Sequence, residues 1–199
     1  MLIFKSKLFE IMDLGVTANK ELVGNLIIYI AHHCKPLYQT KLLKLLYLID
    51  EESVKEKGTP ITWLDYNVWE KGPVSKEIYI SKFENLNQFD KFFRYRQTGR
   101  RSFLIEPIKN VDLDEFSKSD IRIINKVLNQ YGSKTSDELI NYTHNNKSLW
   151  YKAKKENNIK FSDENKTSNI IIDFDDLIDN DIKRVAYYTS RENLLSQVL

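Results

Sequence analysis

Apolar residues along this chain recur mostly at helical spacing. The clearest run is TKLLKLLYLIDEESVKEKG, from Thr40 to Gly58. At about 100° per residue, Lys41, Lys44, Glu51, Glu52 and Lys55 share one stripe, and Leu42, Leu43, Leu45, Leu46, Tyr47, Ile49 and Val54 fill the remaining arc. So wide an apolar arc predicts a central helix over about residues 39–56, packed on several sides. Lys41 and Tyr47 flank the polar stripe and are expected to reach solvent. Asp50 is the anomaly, because it projects between Leu43, Leu46 and Val54. An unpaired buried carboxylate is costly, so a hydrogen-bond partner is expected in the following turn or strand. A frayed helix end with Asp50 in water is the alternative.

Gly58 suits a left-handed cap, and Pro60 forbids further helix. Residues 61–69 then have strand composition. Tyr66 and Val68 would share one face, and Trp63, Asn67 and Trp69 the other. Gly72 allows a tight turn and Pro73 fits a first helical position, with Ile78, Tyr79, Phe83 and Leu86 at helical spacing behind them. A helix to about Asn85 is expected there.

Elsewhere the pattern is plainer. Residues 1–12 read as a short strand or helix. Leu22, Ile27, Ile30 and Ala31 predict a helix over Asn19 to His33, ended by Pro36. Phe92 to Arg96 and Ser102 to Glu106 read as a hairpin around Gln97-Thr98-Gly99. Helices follow over about 116–131, 135–144 and 147–157. The polar stretch 155–169 reads as a mobile loop. Ile170-Ile171-Ile172 adds a strand or packs as a plug, and Asp181 to Leu195 looks helical. The fold class is mainly α, a compact multi-helix domain with a small β-hairpin or sheet element. Residues 1–155 form the main domain, and 156–199 an extension packed on it.

With 199 residues, 42% hydrophobic and 29% charged, the chain can bury a core without covalent staples. One cysteine, Cys34, excludes an internal disulfide and fits a reducing cytoplasm. The first residues carry lysines and a glutamate and lack a signal-peptide pattern. No apolar run approaches the ~20 residues a membrane span needs. A net charge of +2 is too mild to imply nucleic acid. The charge is uneven, however. KFFRYRQTGRR, from Lys91 to Arg101, is basic, and DFDDLIDND, from Asp173 to Asp181, is acidic.

Catalytic and metal motifs are poor. There is no nucleophile elbow, phosphate-binding glycine loop or zincin pattern. His32-His33-Cys34 lacks spaced partners, and Cys34 reads as buried and inert. The acidic run lacks the glycine turn and terminal Glu of a calcium loop. Asp50, Asp65 and His144 are the only hydrolytic assembly that can be put forward. No cofactor, no metal and no enzyme activity are expected. The hairpin residues Arg94, Arg96, Arg100 and Arg101 interleave with Phe92, Phe93 and Tyr95. That pattern fits a solvated strand or a protein-partner surface better than nucleic acid.

An ordered series of residues resembles the Panacea domain, also called the SocA-type antitoxin or phage-associated GepA-like domain. The series runs Lys41-Leu42, Lys44-Leu45-Leu46-Tyr47, Asp50, Gly58, Pro60-Ile61, Tyr66, Trp69, Gly72-Pro73-Val74 and Tyr79. IRIINKVLNQYG, Ser136, Leu139, Thr143-His144, Leu149-Trp150 and Ala153 continue it. Each motif is weak, and their order is the specific part. The resemblance implies an antitoxin that neutralises a protein toxin, encoded alongside, by binding it. Asp50, Gly58, Pro60, Trp69, Gly72, Pro73, Thr143, His144 and Trp150 would be structural. Lys41, Tyr47 and Tyr79, with the hairpin arginines as a second patch, would touch the toxin. Some members carry a further DNA-binding domain, for which this chain has no clear spare length. A nucleic-acid-binding regulator and a phage accessory protein without a toxin are the alternatives.

Overall fold

The computed structural model describes residues 16–80, 88–100 and 102–196. The short element expected at 1–12, and the positions of Phe83, Leu86 and Arg101, lie outside the described residues. Among those described there are six α-helices and two two-stranded antiparallel sheets, so the fold is mainly α with a small sheet element.

Helix α1 (Lys20–His33) starts where the Asn19 side chain accepts from the backbone of Glu21 and Leu22. Helix α2 (Gln39–Lys57) follows and is the centre of the molecule. Leu42 through Asp50 are all buried along it. It ends at Gly58, whose φ of 83° is the left-handed cap expected there. A side chain at Gly58 would also collide with the backbone of Lys183. Strands β1 (Asn67–Trp69) and β2 (Gly72–Val74) make a tight hairpin. Strands β3 (Phe93–Gly99) and β4 (Ser102–Pro107) make the second, longer one. Capping boxes start α3 (Lys118–Tyr131) at Ser117 and α4 (Ser136–Thr143) at Thr135, and Ser148 caps α5 (Leu149–Glu156). Helix α6 (Asp181–Ser196) closes the described chain. α2 packs against α1, α3, α4, β2, β4 and α6.

The turn after α2 is built on Asp50, which is fully buried. Its carboxylate accepts from the backbone N–H of Ile61 at 2.8 Å, the N–H of Thr62 at 2.9 Å and the Tyr66 hydroxyl at 2.7 Å. The Thr62 hydroxyl is a fourth donor. Burial pushes the Asp50 carboxyl above its ordinary range, and these donors pull it back. Asp50 therefore has the partner in the following turn that its place in an apolar arc requires.

This arrangement changes the reading of residues 61–66. They are not a strand but an irregular wrap around the carboxylate, with Trp63 at a φ of 56°. The strand proper is only Asn67–Trp69, and alternation does not hold in it. Tyr66, Asn67 and Val68 are all buried. β1 is hydrogen-bonded along both edges, to β2 on one side and to residues 166–172 on the other. Val68 donates to Ile170, Ile172 to Tyr66, and Glu70 to Lys166, each through the backbone. The stretch 155–169 is thus not free over its last residues. The Trp69 and Asn67 side chains also donate to the carbonyls of Ser168 and Asn169. Ile172, Phe174, Ile178 and Tyr187 then join the core, with Tyr187 5.4 Å from the Trp63 ring.

The helix expected after Pro73 is corrected over the described residues to Ile80, the rest of its span lying outside them. Pro73 lies in β2 opposite Val68, and residues 76–78 form a turn, after which the Ile78 and Tyr79 amides donate back to the Ser75 carbonyl. A proline ring fixes φ near −65°, which an edge strand accepts as readily as a helix start, and the missing N–H costs nothing at an unpaired position.

Asp50→Ala would leave two buried amides and two hydroxyls without their acceptor. Urea denaturation of this variant is expected to show a loss of about 3–5 kcal/mol. A loss under about 1 kcal/mol would mean the turn holds without the carboxylate.

Candidate functional site

The start of α2 and the β1–β2 hairpin face each other across a cleft of about 210 Å³. Gln39, Thr40, Leu43 and Lys44 form one wall. Trp69, Glu70, Lys71 and Val74 form another, with Tyr79, Lys166 and Thr167 at the rim. Gln39 is held rigid, because its amide accepts from and donates to the backbone of Ile80. Trp69 and Tyr79 meet edge to face at 4.8 Å. The Trp69 indole nitrogen is engaged behind the wall by Ser168 at 3.2 Å.

Lys44 is the unusual member. It is 1% exposed, and its ammonium donates to the carbonyl of Pro73 at 2.7 Å. Among the described residues no carboxylate pairs with it. Burial alone pushes its pKa down to about 7. Gly72 permits this approach. Its φ is 94°, and a Cβ there would lie 2.9 Å from both Lys44 Cε and Thr143 Oγ1. Behind Lys44, the His144 ring stacks on Trp150 at 3.9 Å with Nε2 buried and unpartnered. Desolvation, then the charges of Lys44 and Lys154, push His144 down to about 4. Trp150 donates its indole N–H to the carbonyl of Trp69 at 3.0 Å, tying α5 to β1. Lys44, Gly72, Pro73, Thr143, His144, Trp150 and Trp69 are therefore one packed unit.

Residues 42–151 match the family described as Antitoxin SocA-like, Panacea domain. The chain belongs to this family. No curated protein and no solved structure matches it. The Panacea match begins in α2, covers both hairpins and ends in α5. It leaves Lys166 and Thr167 outside, although they line the cleft.

The residues expected to contact a toxin fall into separate surroundings. Tyr47 is corrected outright, for it is 1% exposed, packed on Tyr66 and Phe174. The half-arc that would have left it at the surface is covered by the acidic segment around Phe174. Lys41 is half-buried and donates to the carbonyl of Gly132 at 2.6 Å, at the end of α3. Tyr79 is half-buried and lines the cleft. Arg94, Arg96 and Arg100 are exposed on the second hairpin, with Arg96 paired to Glu106 at 2.7 Å. That hairpin adjoins the cleft segment, since the Tyr95 hydroxyl donates to the carbonyl of Ile78.

Two side chains of the cleft were not singled out as site residues from the sequence. Lys44 lies mid-stripe on the helical wheel, where a lysine is expected in water. Lys166 comes from the far extension. The other chemistries read from the sequence are not assembled. Among the described residues no group of three His, Cys, Asp or Glu side chains could hold a metal ion. Cys34 is buried, and burial raises its thiol pKa. Asp50 is enclosed by Thr62 and Tyr66, whereas His144 lies against Trp150. No described helix is long and apolar enough to cross a membrane.

Two pH effects follow from these shifts. Lys44 binds its proton less tightly when folded, near 7, than when unfolded, near 10.5. Stability should therefore rise with pH between those values, by up to about 1.4 kcal/mol per unit. The rise should be absent from Lys44→Met when both are melted from pH 7 to 10. His144 is also depressed, so its contribution is intact above about 6.5 and lost as pH falls toward 4. His144→Phe should lose less melting temperature than the parent over that lower window. Parallel curves for either pair would contradict the assigned cause.

Proposed function

We propose that this protein is an antitoxin of a bacterial or phage two-gene system. It neutralises a protein toxin, encoded by the adjacent gene, by direct binding. It acts as a binding scaffold, not an enzyme, in the cytoplasm, without cofactor or metal. The observation that carries this reading is the Panacea family match across residues 42–151. The geometry supports it in kind. α2 and its polar ties make a rigid frame, and around it stand an aromatic, lysine-lined cleft and an exposed hairpin bearing Arg94, Arg96 and Arg100. Aromatic and arginine side chains on a rigid support are the common anchors of protein interfaces.

The hairpin favours a protein partner over nucleic acid. Phe93, Phe103 and Ile105 are buried beneath it, and Tyr95 is half-buried, so its aromatics are committed to the core and not offered to bases.

Co-expression with the neighbouring gene tests the proposal. Growth rescue and co-purification of the two products at equal stoichiometry are expected. A neighbour harmless by itself, or toxicity undiminished by this chain, would overturn it. Charge reversal at Arg94, Arg96 and Arg100 should leave the melting temperature within about 2 °C, because exposed charges scarcely affect folding. It should weaken neutralisation if the hairpin is a contact surface. Unchanged rescue by that triple variant would remove the hairpin from the interface.

A further inference from the structure

Among the described residues, no acidic side chain answers the Lys44 amine in the cleft between α2 and the first hairpin. An ammonium has three donors. Lys44 uses one, on the Pro73 carbonyl. Burying an ammonium against a single neutral carbonyl is costly, because one acceptor does not repay its lost hydration. Tying Pro73 to α2 therefore does not by itself explain a lysine at the inner wall of an open cleft. Around it the field is positive. Lys71 is exposed on the same wall, and Glu70, the one acid among the described lining residues, lies 3.6 Å from Lys166. Trp69 of the wall meets Tyr79 of the rim edge to face.

Size narrows the occupant. About 210 Å³ is the volume of a single large side chain, below the roughly 300–1,000 Å³ of cofactor and small-ligand sites. The walls do not yield easily either, since Gln39 is clamped to Ile80 and Trp69 to Ser168. A preformed, one-residue pocket beside a spare ammonium suits an acidic side chain on a protein surface.

We propose that this cleft is the anchoring subsite for the toxin, and that it takes the carboxylate of one toxin Asp or Glu against Lys44, beneath Trp69 and Tyr79. This rests on the antitoxin reading above. The incoming carboxylate accepts from the unused Lys44 donors. The rim aromatics then exclude water from the pair, which makes it a strong contact.

The test uses the full chain and the purified product of the adjacent gene. Lys44→Met keeps the length of the side chain and removes the charge. Thr40→Trp leaves Lys44 in place and fills the cleft. Each is expected to melt within a few degrees of the parent and to bind the toxin on the order of 100-fold more weakly. Asp→Asn and Glu→Gln substitutions across the toxin should then find one position with a similar loss. That loss should largely vanish in the Lys44→Met background, since the two changes remove one contact. Should Lys44→Met fail to fold, Thr40→Trp and the toxin scan decide. Parent-like binding by Thr40→Trp overturns the proposal. So does a toxin acid whose loss adds fully to that of Lys44→Met, or is coupled to Arg94, Arg96 or Arg100 instead. A parent that does not bind the toxin at all overturns the antitoxin reading, and this inference with it.

Discussion

The structure depends on one buried carboxylate. Asp50 gathers four donors from Ile61, Thr62 and Tyr66, and so fixes where the chain goes after α2. Without that anchor, residues 61–66 have no regular hydrogen bonding of their own. With it, Tyr66 enters the core and β1 leaves in a defined direction. β1 then serves as the central strand between β2 and residues 166–172. The segment that lines the cleft and the extension that borders it are both positioned through Asp50.

α2 buries a second ionisable side chain, Lys44, about 1.7 turns earlier. The two charges do not pair. Asp50 is answered by neutral donors and stays with the turn, whereas Lys44 is answered by one carbonyl. Their environments differ in consequence. A carboxylate with four donors is a finished structural joint. An amine with one acceptor among the described residues, at the inner wall of a cleft, is not such a joint. The same helix thus supplies the frame and one wall of the cleft.

Much of this was legible in the sequence, for physical reasons. The extent of α2, the left-handed cap at Gly58 and the demand of Asp50 for a partner follow from periodicity, glycine geometry and the cost of burying charge. The second hairpin followed from alternation, and α3, α4, α5 and α6 lie close to the spans expected for them. Other features needed tertiary structure. A helical wheel places Lys44 and Lys55 on one stripe, yet β2 and Thr143 cover the first while the second remains exposed. Farther along α2, Glu52 and Glu56 meet Arg122 and Lys126 of α3, so the polar face is sealed by ion pairs at one end and by backbone at the other. Tyr47 lay outside reach because its cover, Phe174, is contributed from more than a hundred residues away. Gly72-Pro73 was ambiguous because proline suits a helix start and an edge strand equally.

The packing behind the cleft bears on how such a scaffold could meet a partner. His144, Trp150 and the Trp69 carbonyl form a continuous stack that joins α4, α5 and β1. The far end of that stack is Trp69, whose ring faces Tyr79 at the rim. A side chain entering the cleft would press on elements already fixed by hydrogen bonds at both ends, not on a loop that must first be ordered. Little conformational entropy would then be lost on association, and more of the contact energy would remain as affinity. The exposed hairpin is different, held mainly at its base by Tyr95, Phe93 and Ile105. Under the antitoxin reading proposed above, a rigid pocket beside a longer, charged hairpin would divide recognition into an anchor and a second contact, and the exposed side chains of the hairpin could vary without disturbing the fold that Asp50 holds.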